Sequence, residues 1–498
     1  MPDILDAVAA GVPDKPAVVQ DDRSWTYAEL NARANALASA LLGLGLRAGD
    51  RAVWVGPNDE KVILWGHTTR KVGLVSVPLN YRFTPDEMTY VIRDSDSVLV
   101  YCHPDWEQTI RALDLPAVRH VISHDDAERL IKSHAGQAPE EPPEGLGSSM
   151  IYTSGTTGLP KGALRQSSDL NLIAAMIGEL GLSSDDVHLT TGPLYHSGPA
   201  AFAGLNHLLG ATTVVLDKFD PARWLDLVQR HRVSTTFSAP TQLKRLVSLP
   251  PELIARHDTS SLRVVIANAA PVPYSLKEQW VKLFGEGNLF EIYGSTELGV
   301  DTILRPDDQL RKPGSCGRPY GGIEIRLLRE DGTEAQPGEP GEMWIRTTLA
   351  FDHYHKAPDK TEQTKLSVDP EWRSVGDIAY RDEEGYFFIC DRKSDMVITG
   401  GMNVYPAEVE AVLHSHPDVM DAAVYGVPSE EWGEEVRAAV QPKPGAEVAP
   451  DELIALCRTK LAGYKVPRKL ELRESLPRTE SGKLLKRVLR EEHRSEDR

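Results

Sequence analysis

Residues 152–163 read YTSGTTGLPKGA. Three glycines, four Ser or Thr hydroxyls and one lysine fall within this short stretch. Gly155, Gly158 and Gly162 let backbone N–H groups approach a ligand with no Cβ in the way. The hydroxyls add donors and Lys161 adds a point positive charge. Together these make the chemistry of a polyphosphate cradle. Met150 and Ile151 fit a strand that leads into the loop. The stretch does not have the P-loop pattern, because Lys161 follows Pro160 and precedes Gly162. The competing reading is a flexible Gly/Thr surface loop. Glycine, hydroxyl and lysine occurring in one loop favour the phosphate reading.

Working outward from this loop, the chain alternates between strand and helix patterns. Thr26 to Glu29 reads as a capping box, followed by Leu30, Ala34, Leu37 and Leu41 at helical spacing. Strand-like runs occur at 53–55, 98–102 and 212–216, and a helical stretch at 221–231 precedes a further strand-like run. This predicts α/β layers with a largely parallel sheet. The Pro/Gly/Glu-rich segment 135–147 reads as a surface linker. Beyond about residue 310, runs such as 323–328 and 342–346 are short and alternating, with turns expected at Asp331-Gly332 and Pro340-Gly341. That predicts an antiparallel β subdomain. The last hundred residues change again, with helices at 406–416 and 450–462 and two short apolar stretches at 422–427 and 436–441. They predict a small α+β domain.

The chain has 498 residues, 41% hydrophobic and 26% charged, enough for a large core and about three domains at ~150 residues each. Fifty-five basic residues against 73 acidic ones leave a net charge of −18. Nucleic acid and anionic membranes are therefore disfavoured as main partners. Cys102, Cys316, Cys390 and Cys457 are scattered and form no C-x-x-C pair, which points to free thiols in a reducing compartment. The N-terminus lacks a basic n-region, and no run reaches membrane-spanning length. A cytoplasmic, soluble protein is expected. A homodimer is compatible with the sequence.

Three further motifs carry chemical groups. In 293-YGSTE-297, Gly294 permits close approach, Tyr293 offers a ring for stacking on a base, and Glu297 offers a hard carboxylate for Mg²⁺. In 376-GD-377 and 391-DRKSDMVITGGMNVYPAEVE-410, Asp377 can accept from ribose hydroxyls and Arg392 can clamp a phosphate or ribose. In 477-PRTESGK-483, Lys483 follows a Ser-Gly turn at the start of a basic helix. Singly, each is matched by a bland reading: a turn after a strand, a surface salt bridge, a solvated basic helix.

As an ordered set, these motifs closely resemble those of the adenylate-forming acyl-CoA synthetase family, which includes luciferases, aryl-CoA ligases and peptide-synthetase adenylation domains. The resemblance covers nearly the whole chain, and 314-GSCGRPYGGIEI-325, 354-YHKAP-358 and 427-VPSEEWGEEVRAAV-440 add to it. It implies a ligase in which ATP activates a carboxylic acid to acyl-AMP and pyrophosphate, and the acyl group then passes to coenzyme A. The implied architecture is a large N-terminal domain (1–391) of α/β layers plus a β subdomain, a hinge at 392–394, and a small mobile α+β C-terminal domain (395–498).

The resemblance also implies roles. Thr153 and Glu297 would contact Mg²⁺. Ser154, Gly155, Thr156, Thr157, Gly158 and Lys161 would wrap the ATP phosphates. Tyr293, with Gly294, Ser295 and Thr296 behind it, would lie on the adenine opposite Asn268, Ala269 and Ala270. Asp377 would hold the ribose, with Arg392 nearby. Lys483 would bridge carboxylate and α-phosphate. Hinge rotation would withdraw Lys483 and bring Gly400 and Gly401 to a pantetheine tunnel. His196, in 193-PLYHSGPA-200, matches a gate at the acyl pocket.

Some positions depart from the family pattern. Val375 stands where Thr is frequent, Ser394 where Asp or Lys is frequent, and Asn268 or Ala269 where Gly is frequent. Amino-acid-activating members place an Asp within the segment equivalent to 194–199, and this chain has no acidic residue there. The small residues of 198–210 fit either a roomy acyl pocket or tight helix packing. The expected acid is fatty, medium-to-long or bulky. An aryl acid is the main alternative, as is transfer to a separate carrier protein.

Overall fold

The computed structural model describes residues 3–140, 143, 147–153, 160–166, 168–393, 395–429, 431–478 and 484–496. It is mixed α/β, with a large N-terminal domain and a small C-terminal one.

A seven-stranded sheet carries the opening motif. Its parallel strands are Arg51–Val55, Val75–Leu79, Leu99–Cys102 and His120–Ser123, joined on one side by Ser148–Thr153. These strands are apolar and short because helices cover them, as parallel sheets require. From Arg51–Val55 the chain goes first to one neighbour, Val75–Leu79, and then to the other, Leu99–Cys102. Strand order therefore reverses at Arg51–Val55, and such switch points open a crevice beyond the strands' carboxyl ends. Ser148–Thr153 turns back through an antiparallel hairpin into Lys161–Arg165, with Thr153 directly opposite Lys161. Residues 154–159 lie outside the described residues.

The second sheet has nine strands. Its parallel run passes from Leu289–Ser295 through Val264–Ala267, Thr235–Ser238, Val187–Thr190 and Thr212–Val215 to Pro16–Gln20. Leu289–Ser295 then pairs antiparallel with Gly299–Leu304. The capping box read at Thr26–Glu29 is present, and it opens the helix Tyr27–Gly43 that packs against the first sheet's core.

Residues 324–392 supply a six-stranded antiparallel sheet, the β subdomain expected. The turn at Gly332 is there, with φ of 80°. Pro340-Gly341 is not a turn: Gly341 starts the strand Gly341–Arg346, and the reversal falls earlier, at Gly338 with φ of 85°. Strands from Val397 onward form a separate five-stranded sheet with its own apolar core. The two apolar stretches read there are longer than their sequence pattern implies. They are the arms of one hairpin, Val419–Ser429 and Gly433–Pro442. Among the described residues, no helix is long and apolar enough to cross a membrane.

Candidate active site

Two polar clusters gather the predicted residues of the large domain. In the first, the Thr153 hydroxyl donates to Glu297 Oε1 at 3.3 Å. The Tyr354 hydroxyl donates to the same oxygen at 2.8 Å. Glu297 is buried, and its carbonyl accepts the Phe351 N–H at 2.6 Å, which fixes the backbone beneath the carboxylate. Lys161 Nζ stands 5.7 Å from the centre of the Tyr354 ring. Burial holds the Lys161 ammonium below the ordinary lysine range, helped by Lys360 and opposed by Glu297. A lysine partly stripped of water in this way binds an incoming anion more strongly than one on an open surface. Tyr354 lies in the strand His353–Tyr354, which pairs with Lys161–Arg165, so the sheet itself sets this spacing.

In the second cluster, the Tyr293 hydroxyl donates to Asp377 Oδ2, and Arg392 Nε stands 3.3 Å from Asp377 Oδ1. Asp377 and Arg392 are cross-strand partners, following Gly376 with φ of 82°. A carboxylate has about four acceptor positions, so Asp377 retains capacity for two ribose hydroxyls. Burial, then Asp377, pushes the Tyr293 phenol well above its usual range, so it acts as a donor. Asn268 donates to the Ile292 carbonyl at 2.7 Å, tying the expected adenine wall to the Tyr293 strand. Ala269, exposed beside it, has φ of 78°. That left-handed conformation explains why glycine is frequent there and marks the wall as strained.

Other predicted residues make local structural contacts. A Cβ at Gly294 would meet the Gly299 carbonyl oxygen at 2.0 Å, so the hairpin itself demands glycine there. At Gly162 the neighbour is a side chain instead, with a hypothetical Cβ 2.8 Å from Met150 Sδ. Ser295 accepts the Leu298 N–H at 3.0 Å and shapes the turn. Thr296 pairs with the Ser197 hydroxyl at 3.3 Å. His196 is the N-cap of the helix Ser197–Leu208, and its ring lies 4.5 Å from that of Tyr195. Tight packing is the correct reading at Gly198, where a Cβ would stand 2.5 Å from Phe237, while Ala200, Ala201 and Gly204 are exposed. Gly400 and Gly401 form an exposed turn, and the Gly400 N–H donates to the Trp432 carbonyl at 2.8 Å. Ser154, Gly155, Thr156, Thr157, Gly158, Ser394 and Lys483 lie outside the described residues.

Sequence reasoning missed three groups. Tyr354 was visible only as part of the YHKAP run. Arg165 donates to the Thr296 carbonyl at 2.9 Å and stabilises the 293–297 turn from below. Asp301 is fully buried, and among the described residues neither carboxylate oxygen has a hydrogen-bond partner. Burial, then Asp377, pushes its carboxyl well above the usual range, with Arg165 opposing. No local signal marks Asp301, because its burial follows from a bulge in the strand pairing opposite Tyr293 and Gly294.

The AMP-binding enzyme profile matches residues 5–355, and the AMP-binding enzyme C-terminal domain profile matches 408–483. The chain belongs to the AMP-binding enzyme family. It is an AMP-forming acid–CoA ligase, and ATP and CoA are its co-substrates. A feruloyl-CoA synthase from a Streptomyces species is 36% identical over 493 residues, spanning 96% of each chain. The long-chain-fatty-acid–CoA ligase FadD13 of Mycobacterium tuberculosis is 33% identical over 482 residues, covering 95% of this chain and 94% of its own. The crystal structure of ATP-bound MatB from Rhodopseudomonas palustris superposes with a TM-score of 0.88 at 28% identity, covering 98% of both chains.

Proposed function

We propose that this AMP-binding enzyme activates an apolar carboxylic acid, fatty and medium-to-long or bulky, and transfers the acyl group to coenzyme A. The observation that carries the nucleotide assignment is the pair of polar clusters, Thr153, Lys161 and Glu297 in one and Tyr293, Asp377 and Arg392 in the other. In the first step a carboxylate oxygen attacks the α-phosphorus and pyrophosphate leaves. In the second the CoA thiolate attacks the acyl carbon and AMP leaves. The chain supplies no nucleophile. Positioning and charge stabilisation carry the rate.

Thr153 and Glu297 offer a hydroxyl and a carboxylate, the hard oxygen donors that Mg²⁺ selects. Bound there, Mg²⁺ would neutralise phosphate charge. Lys161 lies beside this pair, in position to meet the phosphates, and Asp377 with Tyr293 to meet the nucleoside. Lys483 would offset the repulsion between carboxylate and α-phosphate. We infer that residues 392–394 are the hinge on which 395–498 turns between the two steps, moving Gly400 and Gly401 from their exposed position toward the thiol path.

An apolar acid is supported by the absence of an acidic residue in 194–199 and by the apolar or aromatic Tyr195, Phe202 and Phe237 around the His196 loop. The second reading, an aryl acid, is supported by the 36% identity to feruloyl-CoA synthase. Pyrophosphate release should be measured over straight-chain acids of increasing length, polycyclic acids and hydroxycinnamic acids. Highest kcat/KM on long or polycyclic acids supports the first reading. A preference for hydroxycinnamates replaces it with the second.

A further inference from the structure

Away from the nucleotide residues, the same carboxyl edge of the seven-stranded sheet carries a second polar cluster. Asp59 follows the strand Arg51–Val55, His103 follows Leu99–Cys102, and His124 follows His120–Ser123. One ligand-capable atom from each lies within 4.8 Å of the others. The Ser148–Thr153 strand, which leads to the phosphate hairpin, is separated from this cluster by Val75–Leu79. Neighbouring strands lie ~4.8 Å apart, so the two sites are distinct places on one edge.

Capping explains only part of this cluster. Asp59 Oδ1 accepts the Lys61 N–H at 2.8 Å, and Oδ2 has no hydrogen bond from a described residue. His103 Nδ1 accepts the Asp105 N–H at 3.3 Å, and the Asp105 carboxylate lies 3.5 Å from the same nitrogen. His124 is 4% exposed, and among the described residues it makes no hydrogen bond. Its ring is surrounded by those of Tyr101 at 5.0 Å and His103 at 5.1 Å. Glu60, next to Asp59, keeps one buried carboxylate oxygen without a hydrogen-bond partner among the described residues, and its other oxygen pairs with Arg23 and Lys61.

We propose that Asp59, His103 and His124 bind one divalent transition-metal ion of the zinc class. Two imidazoles and one carboxylate suit Zn²⁺, Co²⁺ or Ni²⁺ and disfavour Mg²⁺, which takes oxygen ligands. The site sits beside the switch point of the sheet, where α/β folds open a crevice. Metal–nitrogen bonds of ~2.0–2.1 Å put tetrahedral ligands about 3.3 Å apart, so the ring of the partly exposed His103 must swing inward. With His103 Nε2 on the metal, Nδ1 would carry the ring proton, give up the Asp105 N–H it accepts in the metal-free chain and turn to the Asp105 carboxylate, the outer-shell partner that metal-bound histidines take. The ion would tie three strand ends together and leave a coordination position for water.

The test uses the tag-free full chain, stripped with chelator and titrated with Co²⁺ as a coloured probe. One equivalent should give a visible absorption band that Zn²⁺ bleaches and millimolar Mg²⁺ leaves alone. Asp59→Asn keeps an acceptor for the helix cap, and His103→Ala alters a half-buried side chain, so both should fold and retain pyrophosphate release. Each should weaken Co²⁺ binding at least tenfold. Absence of the band in the folded protein overturns the proposal. A band of undiminished affinity in both variants also overturns it, because the metal then sits on other histidines.

Discussion

The two ends of the seven-stranded sheet's carboxyl edge make an instructive pair. At one end, Thr153 and Lys161 face each other across a hairpin, and a contiguous glycine-rich stretch announces them in the sequence. At the other, Asp59, His103 and His124 come from three separate βα junctions and share no motif. Both clusters arise from the same fact: parallel strands deliver their following loops to one edge. The difference lies in how far apart along the chain the participants are. A motif is legible when one loop holds most of its groups and illegible when the sheet does the gathering.

The largest expected effect separates the two ends functionally. Glu297→Gln removes the charge beside Thr153 and should lower acid-dependent pyrophosphate release by about 10²-fold. Co²⁺ binding at the Asp59 cluster should be unchanged. Equal loss of both would mean the variant perturbs the fold rather than the nucleotide site.

Gly294→Ala tests whether that glycine belongs to the hairpin. The new Cβ would collide with Gly299 backbone, so stability should fall by ~3 kcal/mol or more, read from urea unfolding midpoints. A near-neutral change would return Gly294 to a role in ligand approach.

A third prediction concerns pH. His188, in the strand Val187–Thr190, and His207, in the helix Ser197–Leu208, are both buried, and burial pulls their imidazoles down to about 3 and about 4. Both are neutral when folded and take up a proton on unfolding below the ordinary histidine value. Stability should therefore be complete above about pH 6.5 and decline as pH falls toward 4, by about 1.4 kcal/mol per unit for each group. Unfolding at a series of pH values checks this. A flat profile over that window would contradict it.

The smallest effect is at Tyr354. Tyr354→Phe keeps the ring beside Lys161 and deletes the 2.8 Å hydrogen bond to Glu297. Loss of about 1 kcal/mol of orientation should cost roughly five- to tenfold in kcat/KM. No change would mean that Thr153 alone orients Glu297.

The alternation of strands and helices, the antiparallel texture after residue 310 and the capping box at Thr26 were legible because they are local patterns. Tyr293, Asp377 and Arg392 were legible as motif positions, and the cross-strand pairing that brings Asp377 to Arg392 was not. Gly162 and Gly294 were read as ligand-facing, because sequence cannot distinguish a glycine needed by a ligand from one needed by a neighbouring strand. The burial of Asp301 depends on a bulge, and the pairing of Tyr354 depends on a strand that returns to Lys161–Arg165 from nearly two hundred residues away. The paired arms Val419–Ser429 and Gly433–Pro442 outran their apolar segments because backbone hydrogen bonds extend a hairpin through polar residues.

The central claim is tested most directly by pyrophosphate release from ATP and Mg²⁺ across the panel of acids, with and without coenzyme A. The account predicts release that depends on an apolar acid, turns over with CoA and leaves an acyl thioester. It predicts that Lys483→Ala abolishes this release while leaving thioester formation from supplied acyl-AMP. Release with no thioester, or equal loss of both steps in that variant, would contradict it.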